Sequence, residues 1–156
     1  MRKLLLLVAM MAVASTALAQ KLATERVKFA FDEPGINDPS TFGTLSIVLS
    51  GASSPSIFQL ENYPKVRIHA DNARSFRIYQ LAVDGNKRGI KVATFNYPVI
   101  DQEYEFMFLP AIALQPHDMG DGTFEIDLWE LAAGNYAIVF PSSLTRTSTV
   151  HTFTLQ

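Results

Sequence analysis

The chain has 156 residues, of which 13 are Lys or Arg, 15 are Asp or Glu and none is Cys. The lack of cysteine excludes disulfide bonds, a lipidated cysteine anchor and thiol chemistry. The net charge of −2 argues against a nucleic-acid partner or an anionic membrane surface, because such partners call for a concentrated basic face.

A secretory signal peptide is the first predicted element. Residues 1–19 combine a basic start, an apolar run and the A-x-A cleavage motif Ala17-Leu18-Ala19. We therefore expect the mature protein to begin at Gln20 and to reside in the periplasm or outside the cell. Residues 20–156 are predicted to be a single domain with no transmembrane segment, because no later apolar run is long enough to cross a bilayer.

Strands are the next predicted elements, because apolar and polar residues alternate along most of the mature chain. In chain order they fall at residues 27–31, 45–49, 66–68, 75–83, 90–96, 104–108, 124–128, 136–140 and 148–155. Gly, Pro, Asn, Asp and Ser cluster between them, and residues 84–89 indicate a hairpin loop. About eight or nine strands in this arrangement predict an all-β fold, an antiparallel β-sandwich.

The most specific local motif is the segment 131–136, LAAGNY, between two predicted strands. It resembles the L-x-P-G-x-Y tyrosine corner of exported bacterial immunoglobulin-like domains, with Ala133 in the place of the proline. Residues 121–126 and 152–155 are similar to the strands that flank this corner in those families. The resemblance implies an immunoglobulin-like sandwich in which the Tyr136 hydroxyl bonds to the upstream backbone. It implies no activity.

Catalytic signatures are missing from the sequence. It contains no G-x-S-x-G elbow, no H-E-x-x-H motif and no phosphate-binding loop, so we predict no catalytic residues and no cofactor. Glu103 with Glu105, and Glu125 with Asp127, are pairs of carboxylates on one strand face, as a glycoside hydrolase would need. The opposite face of each strand is apolar, so we expect these pairs to be ordinary solvated surface.

Metal sites are weakly indicated. His69, His117 and His151 are the only histidines, and no metal-ligand spacing recurs around them. The loops 32–38 and 117–122 place Asp and Asn beside Gly, which suits calcium. Because Asp, Asn and Gly are also common turn residues, we favour turns at both loops and predict no bound metal.

A candidate partner surface comprises Ile112, Leu114 and Trp129. Ile112 and Leu114 lie in the proline-bracketed loop 110–116, where apolar residues are unusual. They either plug an open end of the sandwich or form an apolar patch for a partner, and we favour the plug. Strict alternation directs Trp129 outward, where it could stack on a ligand, but we expect it to cap the core beside Leu131.

These observations predict an exported, non-catalytic binding or structural module whose partner is a protein or a component of the cell envelope. The alternatives are a calcium-assisted glycan-binding module and a small enzyme with a site built from separated loops. Lys87, Arg88 and Lys91 form the one basic cluster that the sequence indicates. Its place at a predicted hairpin tip favours a role in solubility.

Overall fold

The computed structural model describes residues 20–32, 42–95 and 106–156. The predicted signal peptide and the pair Glu103 and Glu105 lie outside the described residues. Within them the protein is all-β, as the alternation predicts, and none of the helices is long and apolar enough to cross a membrane.

Twelve strands, one short helix and one 3₁₀ turn make up the described fold. The strands are β1 (Ala23–Arg26), β2 (Lys28–Asp32), β3 (Gly43–Ser50), β4 (Ile57–Phe58), β5 (Lys65–His69), β6 (Arg77–Asp84), β7 (Lys87–Phe95), β8 (Phe106–Phe108), β9 (His117–Asp118), β10 (Thr123–Asp127), β11 (Gly134–Val139) and β12 (Thr149–Leu155). The helix is α1 (Leu144–Thr147), and the 3₁₀ turn is Leu60–Asn62. The count exceeds the eight or nine expected partly because β4 and β9 have two residues each, too few to show an alternation.

The strands form one large sheet and one small sheet. The large sheet has the order β1-β12-β11-β6-β7-β3-β2, with β4 beside β12 and β8 beside β7, and the small sheet has the order β5-β10-β9. Strand pairing is antiparallel except between β4 and β12. A break in the register between β3 and β7 at Leu45/Ser46 marks a bulge, which increases local bending, and the large sheet curls.

The curl produces two apolar cores. Strand β11 is buried on both faces: Tyr136 and Ile138 belong to a first core against the small sheet, whereas Ala137 and Val139 belong to a second core inside the curl. The first core includes Val66, Ile68, Phe124, Ile126 and Phe153, and the second includes Leu45, Ile47, Leu49, Leu81 and Val92. A simple two-sheet sandwich has one such core, whereas the described residues form a curled sheet and a second sheet with two cores.

The hairpin between β6 and β7 is tighter than predicted. Its turn consists of Gly85 and Asn86 alone, with Gly85 at φ 57°, and Lys87 already belongs to β7. Alternation along β7 then points Arg88 inward, where its side chain is fully buried. The prediction that Lys87, Arg88 and Lys91 form a basic cluster at an exposed hairpin tip is therefore wrong for Arg88.

The Arg88 side chain connects separate strands of the curled sheet. Its Nη2 donates to the Glu25 carboxylate of β1 at 2.6 Å and to the Ser50 carbonyl at 2.9 Å, while Nε donates to the Gly51 carbonyl at 2.9 Å. The Glu25 carboxylate also accepts a hydrogen bond from the Thr152 hydroxyl. The guanidinium thus joins β7, β1 and the C-terminal end of β3, and the second core contains residues of β3 and β7.

A chain of buried polar side chains continues from this ion pair. The Thr152 hydroxyl shares a 2.8 Å hydrogen bond with the hydroxyl of Ser54, whose backbone N–H donates to Thr154 at 2.8 Å. The Thr154 hydroxyl in turn donates to the Asn135 side chain at 2.6 Å. Because buried polar groups are costly when unpaired, this network holds the loop at residues 51–56 against the sheet.

The tyrosine-corner hydrogen bond is present. The Tyr136 hydroxyl donates to the Ala132 carbonyl at 2.7 Å, as the local motif predicts. The Tyr136 ring is buried and stacks on Phe153 with ring centroids 5.1 Å apart, and burial raises the pKa of Tyr136. The corner therefore fixes the start of β11, the strand that both cores share.

Replacement of Tyr136 by Phe tests the contribution of this hydrogen bond. We expect Tyr136→Phe to lower the free energy of unfolding by about 1 kcal/mol, because the Ala132 carbonyl loses its donor while the ring packing is kept. Urea unfolding monitored by circular dichroism measures the change. Tyr63→Phe is the matched control, since Tyr63 is 67% exposed and should change stability by less than about 0.5 kcal/mol. Equal effects of the two substitutions on stability would contradict a stabilising hydrogen bond from Tyr136 to Ala132.

Candidate binding groove

Two clefts meet at His69, and together we call them the His69 groove. The first cleft has a volume of about 500 Å³ and is lined by residues that include His69, Asp71, Arg74, Arg77, Phe140 and Ser142. The second has a volume of about 640 Å³ and is lined by residues that include Lys21, Leu22, Thr24, Arg67, His69 and His151. The Phe140 and His151 rings, one from each cleft, meet edge to face at 6.1 Å.

Strand alternation places the side chains of the groove. Along β5, Val66 and Ile68 are buried in the first core, so Arg67 and His69 lie on the opposite, exposed face. His69 contacts the Thr123 hydroxyl through Nδ1 at 3.2 Å. The position of His69 is therefore set by β5 and by its partner β10.

His151 comes from the large sheet. It pairs with Thr24 in the register of β12 and β1, and its Nδ1 lies 3.2 Å from the Thr24 hydroxyl. Burial lowers the pKa of His151 below its ordinary value of 6.5, so the ring is neutral at neutral pH. His151 therefore contributes no positive charge to the groove at neutral pH.

Four cationic side chains line the groove against one carboxylate, Asp71. Arg67 forms an ion pair with Glu125 at 3.1 Å. Lys21, Arg74 and Arg77 form no ion pair with any other residue that the structure describes. The groove therefore carries a local excess of positive charge, although the chain as a whole is slightly negative.

Arg77 is held in place before any ligand arrives. Its Nη1 donates to the Leu109 carbonyl at 3.2 Å, and its guanidinium lies 5.9 Å from the centre of the Phe108 ring. A guanidinium fixed in this way loses little side-chain entropy when it binds an anion. The partners that fix Arg77, Leu109 and Phe108, line neither cleft. The more exposed Lys21 and Arg74 are therefore the donors best placed for carboxylate, phosphate or sulfate groups.

Of the two loops considered for metal binding, the loop 117–122 contains turns. Asp118 accepts the Gly120 N–H at 2.8 Å, and Asp121 accepts the Thr123 N–H at 3.0 Å. These bonds are typical of Asx turns. Of the loop 32–38 only Asp32 is described. Nowhere in residues 20–32, 42–95 and 106–156 do three or more metal-ligating side chains form a group.

The carboxylates Glu125 and Asp127 lie on the outer face of the small sheet, as the alternation predicts. Lys65 contacts both, at 3.5 Å and 3.3 Å, and Arg67 contacts Glu125. A hydrogen bond and the charge of Asp127, together with the charge of Glu125, raise the pKa of Lys65. The two acids therefore belong to a surface network of ion pairs.

Ile112 and Leu114 both pack against the first core, and each is half-buried. The Ile112 N–H also donates to the Ile78 carbonyl of β6 at 2.9 Å. This is the arrangement expected of a plug. Trp129 is 53% exposed, so the expectation that it caps the core is wrong and the strict alternation along β10 holds beyond the end of the strand.

The sequence does not predict the groove residues. It indicates Lys87, Arg88 and Lys91 as the one basic cluster, whereas the structure buries Arg88 and takes the cations of the groove from the chain before β1, from β5, from the β5–β6 connection and from β6. One signal was available, because Lys65, Arg67, His69, Arg74 and Arg77 all fall within residues 65–77. The contribution of Lys21 had no local signal.

Comparisons with protein-family models, with curated proteins and with solved structures give no match for this chain. The function is therefore inferred from the geometry of the groove and from the sequence.

A double substitution tests the plug formed by Ile112 and Leu114. We expect Ile112→Ser combined with Leu114→Ser to lower the free energy of unfolding by about 2–4 kcal/mol, because two half-buried aliphatic side chains lose their apolar contacts. Met119→Ser in the next loop is the control, since Met119 is 44% exposed. A double variant within about 0.5 kcal/mol of the parent would contradict the plug and favour the partner surface.

Proposed function

We propose that this chain is an exported, non-catalytic module with an immunoglobulin-like sandwich that binds an anionic ligand of the cell envelope in the His69 groove. The observation that carries this proposal is that Lys21, Arg74 and Arg77 line the groove and form no ion pair with any residue in the described part of the chain. Export to the periplasm or to the outside of the cell is proposed from the signal-peptide pattern of residues 1–19.

Two features support the immunoglobulin-like part of the proposal. One is the tyrosine corner, in which the Tyr136 hydroxyl bonds to the Ala132 carbonyl. The other is the segment before β1, where Gln20 forms an isolated bridge to Val66 of the small sheet before β1 joins the large sheet. This segment therefore contacts both sheets.

The electrostatics of the groove favour an anion with several charges. A single exposed ion pair contributes only about 0–1 kcal/mol, so one charged group would bind weakly. Lys21 and Arg74 line different clefts on either side of His69. A ligand that carries repeated negative charges can contact both and add their contributions, which is the behaviour expected of a binding module for an extended partner.

Binding of dextran sulfate tests the proposed function, with neutral dextran as the control polymer. We expect the parent to bind dextran sulfate and Lys21→Gln combined with Arg74→Gln to weaken binding at least about tenfold in 0.15 M salt, a loss of about 1.4 kcal/mol. Lys87→Gln combined with Lys91→Gln removes the same charge from β7 and should change the affinity less than about twofold.

Titration calorimetry with the three proteins measures these affinities. Equal weakening by the two double variants would show that binding follows net charge alone and would contradict the proposal. Binding of neutral dextran with the same affinity would contradict it as well, because the groove would then recognise the sugar and not the charge.

A further inference from the structure

Strand β5 is an edge strand that is only briefly covered. On one side it pairs with β10 along its whole length, Lys65–His69. On the other side the described residues supply a single bridge, in which the Gln20 N–H donates to the Lys65 carbonyl at 2.8 Å. The chain then leaves for β12, so beyond this bridge no strand among the residues described pairs with the edge at Ile68 and His69.

This uncovered edge is a wall of the His69 groove. Arg67, Ile68 and His69 line the second cleft, and the chain from Lys21 to Thr24 lines it as well. An exposed edge presents unpaired backbone N–H and C=O groups, which an added strand can bind. The cleft therefore lies where a fourth strand of the small sheet would lie.

The two sides of such a strand would meet different surroundings. Arg67 and His69 project from the charged face of β5, whereas Ile68 and Leu22 belong to or pack against the first core. Side chains alternate between the faces of a strand, so acidic residues at every second position would face the cations while the intervening residues face apolar surface. A strand that matches the groove would therefore alternate acidic and apolar residues.

We infer that the ligand of the His69 groove is an acidic peptide segment in an extended conformation, which adds as a strand to the free edge of β5. This inference rests on the proposed anion binding and names the class of ligand. Main-chain hydrogen bonds to β5 contribute affinity, and contacts from alternate side chains to Arg67, Lys21 and Arg74 contribute specificity. A polysaccharide would supply the charge without the regularly spaced amides that the edge requires.

The test compares two forms of one peptide, acetyl-Glu-Val-Glu-Val-Glu-Val-amide. In the second form, every second backbone amide is N-methylated, which removes N–H donors along one edge of the peptide and leaves the charges. Either edge of the peptide could face β5, so two isomers are measured, one for each alternate set of amides. We expect the unmodified peptide to bind the parent, and at least one isomer to bind at least about tenfold more weakly, because two or more main-chain hydrogen bonds are lost.

Amide hydrogen exchange provides a second measurement. Addition of the unmodified peptide should slow the exchange of the His69 amide, because strand addition pairs the edge of β5 beyond the Gln20 bridge. The amide of Asp84, at the far end of β6, is the internal control and should not change.

Each outcome decides between named alternatives. Equal affinity of all the peptides would overturn strand addition, while the proposed anion binding would stand if Lys21→Gln with Arg74→Gln still weakened the binding of dextran sulfate. Binding of dextran sulfate without binding of the peptide would overturn the peptide assignment in favour of an anionic polysaccharide. Loss of all dependence on Lys21 and Arg74, for peptide and polymer alike, would overturn the proposed function itself.

Discussion

The ion pair between Arg88 and Glu25 is the interaction on which the curled sheet depends. The fully buried guanidinium of β7 reaches the carboxylate of β1 at 2.6 Å and the two carbonyls of Ser50 and Gly51. A buried charge without its partner costs several kcal/mol, so the sheet cannot open at this point without a large penalty. The pair therefore links the two sides of the second core, which the apolar contacts alone would leave without a fixed geometry.

The same ion pair affects the binding groove through β1. Glu25 anchors the strand that begins three residues after Gln20, and Lys21 and Thr24 from this part of the chain line the second cleft. Arg67, Ile68 and His69 of β5 line the same cleft from the small sheet. We therefore expect the position of Lys21 relative to β5 to depend on how Glu25 holds β1.

Local patterns predicted much of the fold and little of the site. Alternation identified the longer strands and the outer face of β10, and the segment 131–136 predicted the Tyr136 hydrogen bond, because each signal lies within a few neighbouring residues. The curl was not predictable, since Arg88 and Glu25 are 63 residues apart and Arg88 lies next to a turn, where exposed charge is usual. The groove likewise joins residues from separate segments, and only the basic residues near β5 left a signal.

Urea unfolding of Arg88→Met, with Lys87→Met as the exposed neighbouring control, tests this account most directly. We expect Arg88→Met to lower the free energy of unfolding by about 3–5 kcal/mol, because Glu25 loses its cation while remaining largely buried. Addition of Glu25→Leu should recover part of the loss, since no unpaired charge then remains. An Arg88→Met variant within about 0.5 kcal/mol of the parent, like the control, would contradict the claim that this ion pair holds the curled sheet closed.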